Sequence, residues 1–164
     1  MTDSASDPVE LLADLESDPP TILLVDDNEQ NLELLQAYLE TLPCRVEVAR
    51  DGVEALERVH ELDPDIVVLD VMMPRMSGFQ VCEKIRADAG LRDIPVVMVT
   101  ALNEVGDVER AVDAGADDFL TKPVNRLELV TRVTSLLRVR QLKRQLDKAV
   151  TEVERMRRDK PDPA

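Results

Sequence analysis

Charged and hydroxyl side chains follow four short apolar runs of this sequence, at the point where each run ends. Asp26 and Asp27 follow TILLV, and Asp70 closes DIVVLD. Thr100 closes PVVMVT, and Lys122 comes shortly after DFL. Such β-branched runs are typical of parallel strands covered on both faces, and the carboxyl ends of parallel strands meet at one edge of the sheet. The pattern therefore predicts a phosphoryl-transfer site built from three carboxylates, a hydroxyl and an ammonium group.

Each of these residues also has an ordinary structural interpretation. Asp26 and Asp27 fit a helix N-terminus, where the macrodipole favours acidic side chains. Asp70 fits a turn, and Lys122 fits a solvated strand end. Taken together these interpretations are weak, because three carboxylates in one crevice repel one another unless a counter-ion is present.

Length and composition indicate one folded domain with appendages. The chain has 164 residues, of which 44% are hydrophobic, enough for a core. Its apolar stretches are well short of the roughly 20 residues of a transmembrane helix, and its acidic start lacks the basic region of a signal peptide. We therefore expect a cytoplasmic protein with no membrane partner. Cys44 and Cys82 have no disulfide or metal-ligand spacing and are expected to be ordinary packing residues.

Charge is distributed unevenly along the chain, whose formal net charge is −14. Residues 1–20 have six acidic and no basic side chains, and residues 21–125 have 22 acidic and nine basic. Residues 126–164 have 11 basic and six acidic. The acidic part disfavours nucleic acid as a partner, since phosphate contacts need a concentrated basic face. The basic tail leaves a nucleic-acid-binding arm as a weaker alternative, although few aromatic residues are available for stacking on single strands.

Strand and helix patterns alternate through the middle of the chain. The predicted strands are 21–25, 44–49, 65–70, 95–100 and the run DFL. The predicted helices are 28–41 with Asn28 as N-cap, one that follows Asp51 and ends near His60, 78–89, and 103–114 with Asn103 as N-cap and Gly115 after its end. This alternation with short loops favours right-handed crossovers and a single open α/β sheet between layers of helices.

Four motifs occur in order along the chain: LVDDN, VVLDVMMPRMSGF, VVMVTA and ADDFLTKP. Together they resemble the response-regulator receiver domain of bacterial two-component systems, over about residues 20–137. One such motif would be weak evidence, whereas four in the family's order are highly specific. The resemblance implies a flavodoxin-like, doubly wound fold with a five-stranded parallel sheet in the order 2-1-3-4-5. An extended C-terminal helix would follow it.

The resemblance implies that Asp70 is the phosphoacceptor. The residue type agrees, because a carboxylate is able to attack phosphorus and form an acyl phosphate. The resemblance also implies a Mg²⁺ or Mn²⁺ ion, bound directly by Asp27 and Asp70, largely through water by Asp26, and by the backbone carbonyl of Met72. Oxygen ligands with several retained waters are what Mg²⁺ prefers, and the ion would offset the repulsion between two approaching anions.

The resemblance further implies a switch at Thr100 and Phe119. The family's Ser or Thr at the first position turns toward the phosphoryl oxygen, and its aromatic residue at the second rotates inward. The family often has Tyr where this chain has Phe119, so no hydroxyl is available here, and core filling is the alternative role. Lys122 would pair with a phosphoryl oxygen, and the bond from Lys122 to Pro123 is expected to be cis. Phosphorylation would act by shifting the population of the loop after the fourth strand.

Residues 126–158 have one continuous helical pattern without proline or glycine. Apolar residues recur there at alternating spacings of three and four, which is typical of a coiled-coil seam. The seam consists of Val139, Leu142, Leu146, Ala149, Val153 and Met156. Because it is short and Ala149 is a weak core residue, we expect a marginal homodimer. Flanking charges leave the orientation open, since a parallel pair would join Glu152 to Arg157 favourably but Arg138 to Lys143 unfavourably.

These patterns divide the chain into four segments. Residues 1–20 are an acidic leader, in which Asp7, Pro8 and Glu10 fit the start of a short helix and disorder is the alternative. Residues 21–137 are the receiver-like domain, residues 138–158 a helical coiled-coil extension and residues 159–164 a disordered tail.

Three classes of function fit these features to different degrees. The best supported is a two-component signalling module that accepts a phosphoryl group from a histidine kinase or phosphotransfer protein and then changes its binding to an unidentified output partner or its dimer geometry. Such a module assists only its own phosphorylation and dephosphorylation and is otherwise not an enzyme. The alternative is the regulatory half of a larger effector enzyme, such as a nucleotide cyclase or phosphatase. Aspartate-nucleophile phosphohydrolases fit less well, because they need a second aspartate where Met72 stands.

Overall fold

Five strands alternate with five helices in the described part of the computed structural model, residues 18–101 and 105–159. The strands are β1 (Thr21–Val25), β2 (Arg45–Ala49), β3 (Ile66–Asp70), β4 (Val96–Thr100) and β5 (Asp118–Thr121). The helices are α1 (Glu29–Leu39), α2 (Gly52–Leu62), α3 (Gly78–Ala87), α4 (Val105–Ala114) and α5 (Arg126–Asp159). The predicted helix in the leader, the predicted N-cap Asn103 and residues 160–164 lie outside the described ranges.

The five strands form one parallel sheet in the order β2-β1-β3-β4-β5. This is the flavodoxin-like order that the family resemblance implied. The strand order reverses between β1 and β3, so a crevice opens there at the carboxyl ends of the strands. The residues that directly follow or end these strands therefore face a common space.

Both faces of the sheet are covered, as the uninterrupted apolar strands require. Alternate residues point to opposite faces. On one face, Ile22, Ile66 and Val97 belong to a core formed with α1 and the first part of α5. On the other, Leu23 and Val67 belong to a core formed with α2, α3 and α4.

Local side-chain hydrogen bonds set the helix ends. Asn28 accepts a hydrogen bond from the Asn31 amide at 3.2 Å, which confirms it as the N-cap of α1. The predictions for α1 and α3 were each two residues too long. Helix α3 ends at Ala87 because Asp88 has an extended backbone and accepts a hydrogen bond from the Gly90 amide instead. Gly115 has a φ of +95°, the left-handed conformation predicted after α4.

Helix α5 runs unbroken for 34 residues. Its first part is anchored by four buried apolar residues, Leu129, Val130, Val133 and Leu137. Beyond them, Arg140 and Arg144 reach back to Asp65, which precedes β3 at the edge opposite the crevice, with nitrogen–oxygen distances of 3.5 and 2.7 Å. Contacts with the domain therefore continue past the predicted boundary at residue 137.

Two other expectations concern features away from the crevice. Cys44 and Cys82 are free thiols, half-buried and buried respectively. Burial raises the pKa of each to about 11, so both stay protonated near neutral pH. Across residues 18–101 and 105–159, every helix is too short or too polar to cross a lipid bilayer.

Candidate functional site

The crevice brings together the side chains that the sequence placed at four strand ends. Three polar residues are buried here among apolar strands: Asp26, Asp70 and Thr100 are 2%, 3% and 6% exposed. Asp27 is exposed at the mouth. One carboxylate oxygen from each of the three aspartates lies within 4.8 Å of the other two. Like charges at this separation repel in a partly desolvated site, so the arrangement favours positive charge among the three carboxylates.

Helix α1 fixes the orientation of Asp26. The Asn28 amide donates to Asp26 Oδ1 at 2.9 Å, and Asn31 Nδ2 donates to Asp26 Oδ2 at 3.2 Å. Lys122 Nζ lies 3.5 Å from the same Oδ2 atom. The sequence reasoning did not identify Asn31, although its place one turn into a helix capped beside the acidic pair was an available signal. These contacts hold the Asp26 side chain in one orientation, toward the crevice.

The pKa of the Asp70 carboxyl group is shifted from its usual value. Burial, followed by the nearby charge of Asp26, raises its pKa to about 6. Lys122 and a hydrogen bond from the Met72 backbone amide oppose this rise. Burial alone would lower the pKa of Lys122, but the charges of Asp70 and Asp26 outweigh burial and raise it, so Lys122 stays a cation. Asp70 is therefore an ionised carboxylate at neutral pH whose charge is incompletely compensated.

The Oδ1 atom of Asp70 is able to accept a further ligand, and its chemistry fits a hard divalent cation. Lys122 Nζ lies 3.2 Å from Asp70 Oδ1 as an ion pair. Nevertheless this buried oxygen has no well-aligned hydrogen-bond donor among the described residues. Buried carboxylate oxygens are normally satisfied, and the neighbouring acidic oxygens are the ligand type that Mg²⁺ takes together with water. The donor set therefore fits a magnesium or manganese ion.

A glycine allows α3 to start beside the acceptor strand. A Cβ atom added at Gly78 would overlap the carbonyl oxygen of Asp70 and lie 2.9 Å from Val71 Cα. The Gly78 amide donates to the Val71 carbonyl at 3.0 Å, and the Ser77 capping box begins the helix at this point. The sequence reasoning placed a helix start at Gly78 but did not recognise that close packing against Asp70 requires glycine.

The remaining site residues lie around the same edge. The Lys122 amide donates to the Thr100 carbonyl at 2.8 Å, which joins the ends of β4 and β5. The bond from Lys122 to Pro123 is cis, as the family resemblance implied. Phe119 is half-buried and packs against the core on the α2–α4 face. Met72 is 61% exposed.

This geometry agrees with what comparison with known proteins shows. The family model described as the response regulator receiver domain matches residues 22–134. The chain belongs to the response regulator receiver family. Its receiver domain is a module of two-component signalling, and receiver domains interact with histidine kinases or phosphotransfer proteins and bind Mg²⁺ in an acidic pocket.

Individual relatives support the same conclusion. The receiver domain is similar to response regulator PleD of Caulobacter vibrioides, with 49% identity over 117 residues, 71% of this chain and 26% of PleD. It is 41% identical over 119 residues to the DNA-binding dual master transcriptional regulator RpaA of Synechocystis, covering 73% of this chain and 49% of RpaA. A crystal structure of a putative response regulator from Chloroflexus aurantiacus matches with a TM-score of 0.70 and 34% identity, over 73% of this chain and 98% of that one. The chain thus spans half or less of the length of these two curated relatives.

Proposed function

We propose that Asp70 accepts a phosphoryl group in a reaction that depends on a divalent cation, Mg²⁺ or Mn²⁺. The observation that carries this is the environment of Asp70 Oδ1, which is buried, lies next to Lys122 and a second carboxylate, and has no well-aligned hydrogen-bond donor among the described residues. Asp26, Asp27 and Asp70 would hold the ion with the Met72 carbonyl. The donor would be a phosphohistidine of a kinase or phosphotransfer protein, and the setting the cytoplasm.

Each crevice residue has a separate role in the proposed reaction. An oxygen of Asp70 attacks phosphorus, the phosphorus–nitrogen bond of the donor breaks, and the imidazole leaves with the electron pair and takes up a proton. Lys122 offsets negative charge on a phosphoryl oxygen, since its ammonium already lies 3.2 Å from the acceptor. A cation held by these carboxylates would neutralise charge as the two anions approach. Asp26, fixed by Asn28 and Asn31, keeps the cage in place.

The response to phosphorylation is proposed to pass through Thr100 and Phe119. Thr100 is buried at the end of β4, within the same crevice edge as Lys122. Phe119 is only partly buried, so an inward rotation would bury more of its ring. Phosphorylation would favour the arrangement in which Thr100 turns toward the phosphoryl group, by no more than the difference in its binding to the two arrangements.

Intact-mass measurement tests the acceptor. Incubation with a small phosphodonor and Mg²⁺ should add one phosphoryl group, and both Asp70→Asn and chelation of the cation should abolish the addition. Asp113→Asn, which removes an exposed carboxylate of α4, is the matched control and should be labelled normally. Labelling that persists in Asp70→Asn would refute the site.

The seam provides a proposed output, a homodimer through α5. Its residues are solvent-exposed, and Val150, which the sequence pattern did not include, is a further exposed apolar residue beside Ala149. Burying the exposed part of a Val, Leu or Met side chain contributes roughly 1 kcal/mol. The sum over the seam is similar to the cost of association, about 4–15 kcal/mol. We therefore propose a dimer that is marginal and open to regulation.

A second candidate is the regulatory part of a longer effector protein. The observation that favours it is length, since the match covers 26% of PleD and 49% of RpaA. Helix α5 would then lead from the receiver domain toward the effector. The sequence of the complete gene product decides between this candidate and a receiver domain that acts alone.

A further inference from the structure

The apolar seam lies on the side of α5 that faces away from the domain. The Arg140 side chain is 12% exposed and contacts Asp65, whereas Val139 beside it is 60% exposed and Leu146 is 63% exposed. At 3.6 residues per turn, the seam lies about half a turn around the helix from Arg140 and Arg144. A second helix can therefore cover the seam without displacing the ion pairs that hold α5 to the domain.

The ends of the seam limit the length of its partner. Toward the N-terminus, the same side of α5 continues with exposed polar residues, Glu128, Thr131 and Ser135. The apolar stretch therefore runs from Val139 to Met156, 18 residues of helix. A second copy of this chain offers an apolar stretch of the same length, which matches from end to end in either direction.

Side-chain size distinguishes the two directions. In a parallel pair each Ala149 would face the Ala149 of the second copy, which leaves one layer underfilled. In an antiparallel pair, Leu146 faces Ala149 of the second copy and Ala149 faces its Leu146. Val139 then faces Met156 and Leu142 faces Val153, so every layer pairs different residues and both central layers pair a large with a small one, which fills space best.

Charge favours the same direction. Residues 21–125 carry 22 acidic and nine basic side chains. The far end of α5, residues 150–159, carries three acidic and three basic side chains and so has no net charge. An antiparallel pair places each uncharged end beside the acidic domain of the other copy and separates the two acidic domains by roughly 26 Å of helix, more than the Debye length of about 8 Å. A parallel pair places the two acidic domains side by side.

From this geometry we propose that the occupant of the seam is a second copy of the chain, in antiparallel orientation, with Val139 opposite Met156. The inference rests on the proposed dimer and fixes its direction and register. Arg138 then lies near Asp159 of the second copy, an opposite-charge pair in place of the Arg138–Lys143 repulsion of a parallel pair. The α4 and β5 surfaces of the receiver domain stay uncovered.

Cysteine cross-linking in the full-length chain tests the orientation. Val139→Cys and Met156→Cys chains are prepared separately, mixed and oxidised under mild conditions. The mixture should form a heterologous disulfide dimer at least tenfold faster than either variant alone, because equivalent positions are about 26 Å apart in an antiparallel pair. Leu142→Cys mixed with Val153→Cys should behave in the same way.

Two controls define the background. The unsubstituted chain should not cross-link, since its own thiols are buried or half-buried. Leu127→Cys, 72% exposed on α5 but outside the seam, should cross-link with Met156→Cys only at the collisional rate. Fast self-cross-linking of Val139→Cys alone would show a parallel dimer and overturn the proposal, and background rates in every mixture would overturn it as well. Asp70 labelling, read by mass in the same samples, tests the phosphoacceptor separately.

Discussion

The carboxyl group of Asp70 is buried between a like charge and an opposite charge. The pKa of about 6 is a stability statement, because the folded chain binds its proton more tightly than an unfolded chain does. The contribution of Asp70 to stability is fully present below about pH 4. It is lost as the pH rises through about 6.

Without a divalent cation, the unfolding free energy contributed by Asp70 should therefore fall by on the order of 2 kcal/mol between about pH 4 and pH 7. Urea unfolding in chelator across this range, with the Asp70→Asn chain as reference, isolates the effect. The difference between the two chains should grow with pH in favour of Asp70→Asn. A constant difference would show that the carboxyl group is not strained by burial.

Cation binding should reverse this loss, since the ion binds the ionised cage of the folded state. We expect millimolar Mg²⁺ to raise the melting temperature at pH 7.5 and to have little effect at pH 5, where Asp70 is protonated. Asp27→Ala should abolish the shift. A melting temperature independent of Mg²⁺ at pH 7.5 would count against the cage.

Gly78 is the residue that lets the acceptor strand and α3 approach each other. Gly78→Ala should lower the unfolding free energy by roughly 1–3 kcal/mol, the usual cost of overpacking, and slow phosphorylation. The matched control is Gly106→Ala, where a Cβ meets nothing within 4 Å. In that helical position alanine should be neutral or stabilising by about 0.5–1 kcal/mol. Equal effects of the two substitutions in chemical denaturation would refute the packing argument.

At the scale of elements, α5 is attached to the domain beyond its buried apolar turns. Asp65 accepts a hydrogen bond from the Thr21 amide at 2.8 Å and pairs with Arg140 and Arg144. Lys143 adds a longer contact, 3.9 Å to Asp93. The Arg140 and Asp65 side chains are 12% and 17% exposed, and partly buried pairs of this kind are costly to break.

A chain truncated after Leu137 should consequently be less stable, by roughly 1–3 kcal/mol, than one truncated after Lys148. Both should fold and accept one phosphoryl group, because the crevice lies at the opposite edge of the sheet. Thermal melts and intact-mass labelling of the two chains measure this. Identical melting temperatures would show that the domain ends functionally at residue 137.

At the scale of the whole molecule, the receiver domain is strongly acidic, with 22 acidic and nine basic side chains in residues 21–125, so two copies of it repel each other at low salt. Self-association through the seam should therefore depend on both concentration and salt. Leu146→Glu buries a charge in any seam dimer and should give a monomer in analytical ultracentrifugation. Thr151→Glu, on the opposite side of the helix, should associate like the unsubstituted chain. A chain that stays monomeric at high concentration would remove the dimer and favour the longer effector protein.

The sequence by itself determined the alternating strands and helices and the composition of the crevice. Both follow from local patterns, since apolar β-branched runs define buried parallel strands and the residues after them must meet at one edge. The motifs around Asp70 and Lys122 added the family resemblance, which implied the order of the strands in the sheet. Helix ends were less predictable, because Asp88 ends α3 through a local hydrogen bond that periodicity does not reveal.

Only the tertiary structure decided features that depend on distance in space. The close approach of Gly78 to Asp70 and the pairing of Arg140 and Arg144 with Asp65 depend on contacts that no sequence period reveals. Burial also set the pKa of Asp70, because desolvation depends on everything packed around the group. The tertiary structure also fixed which side of α5 faces solvent, because the ion pairs between α5 and the domain set the rotation of the helix about its axis.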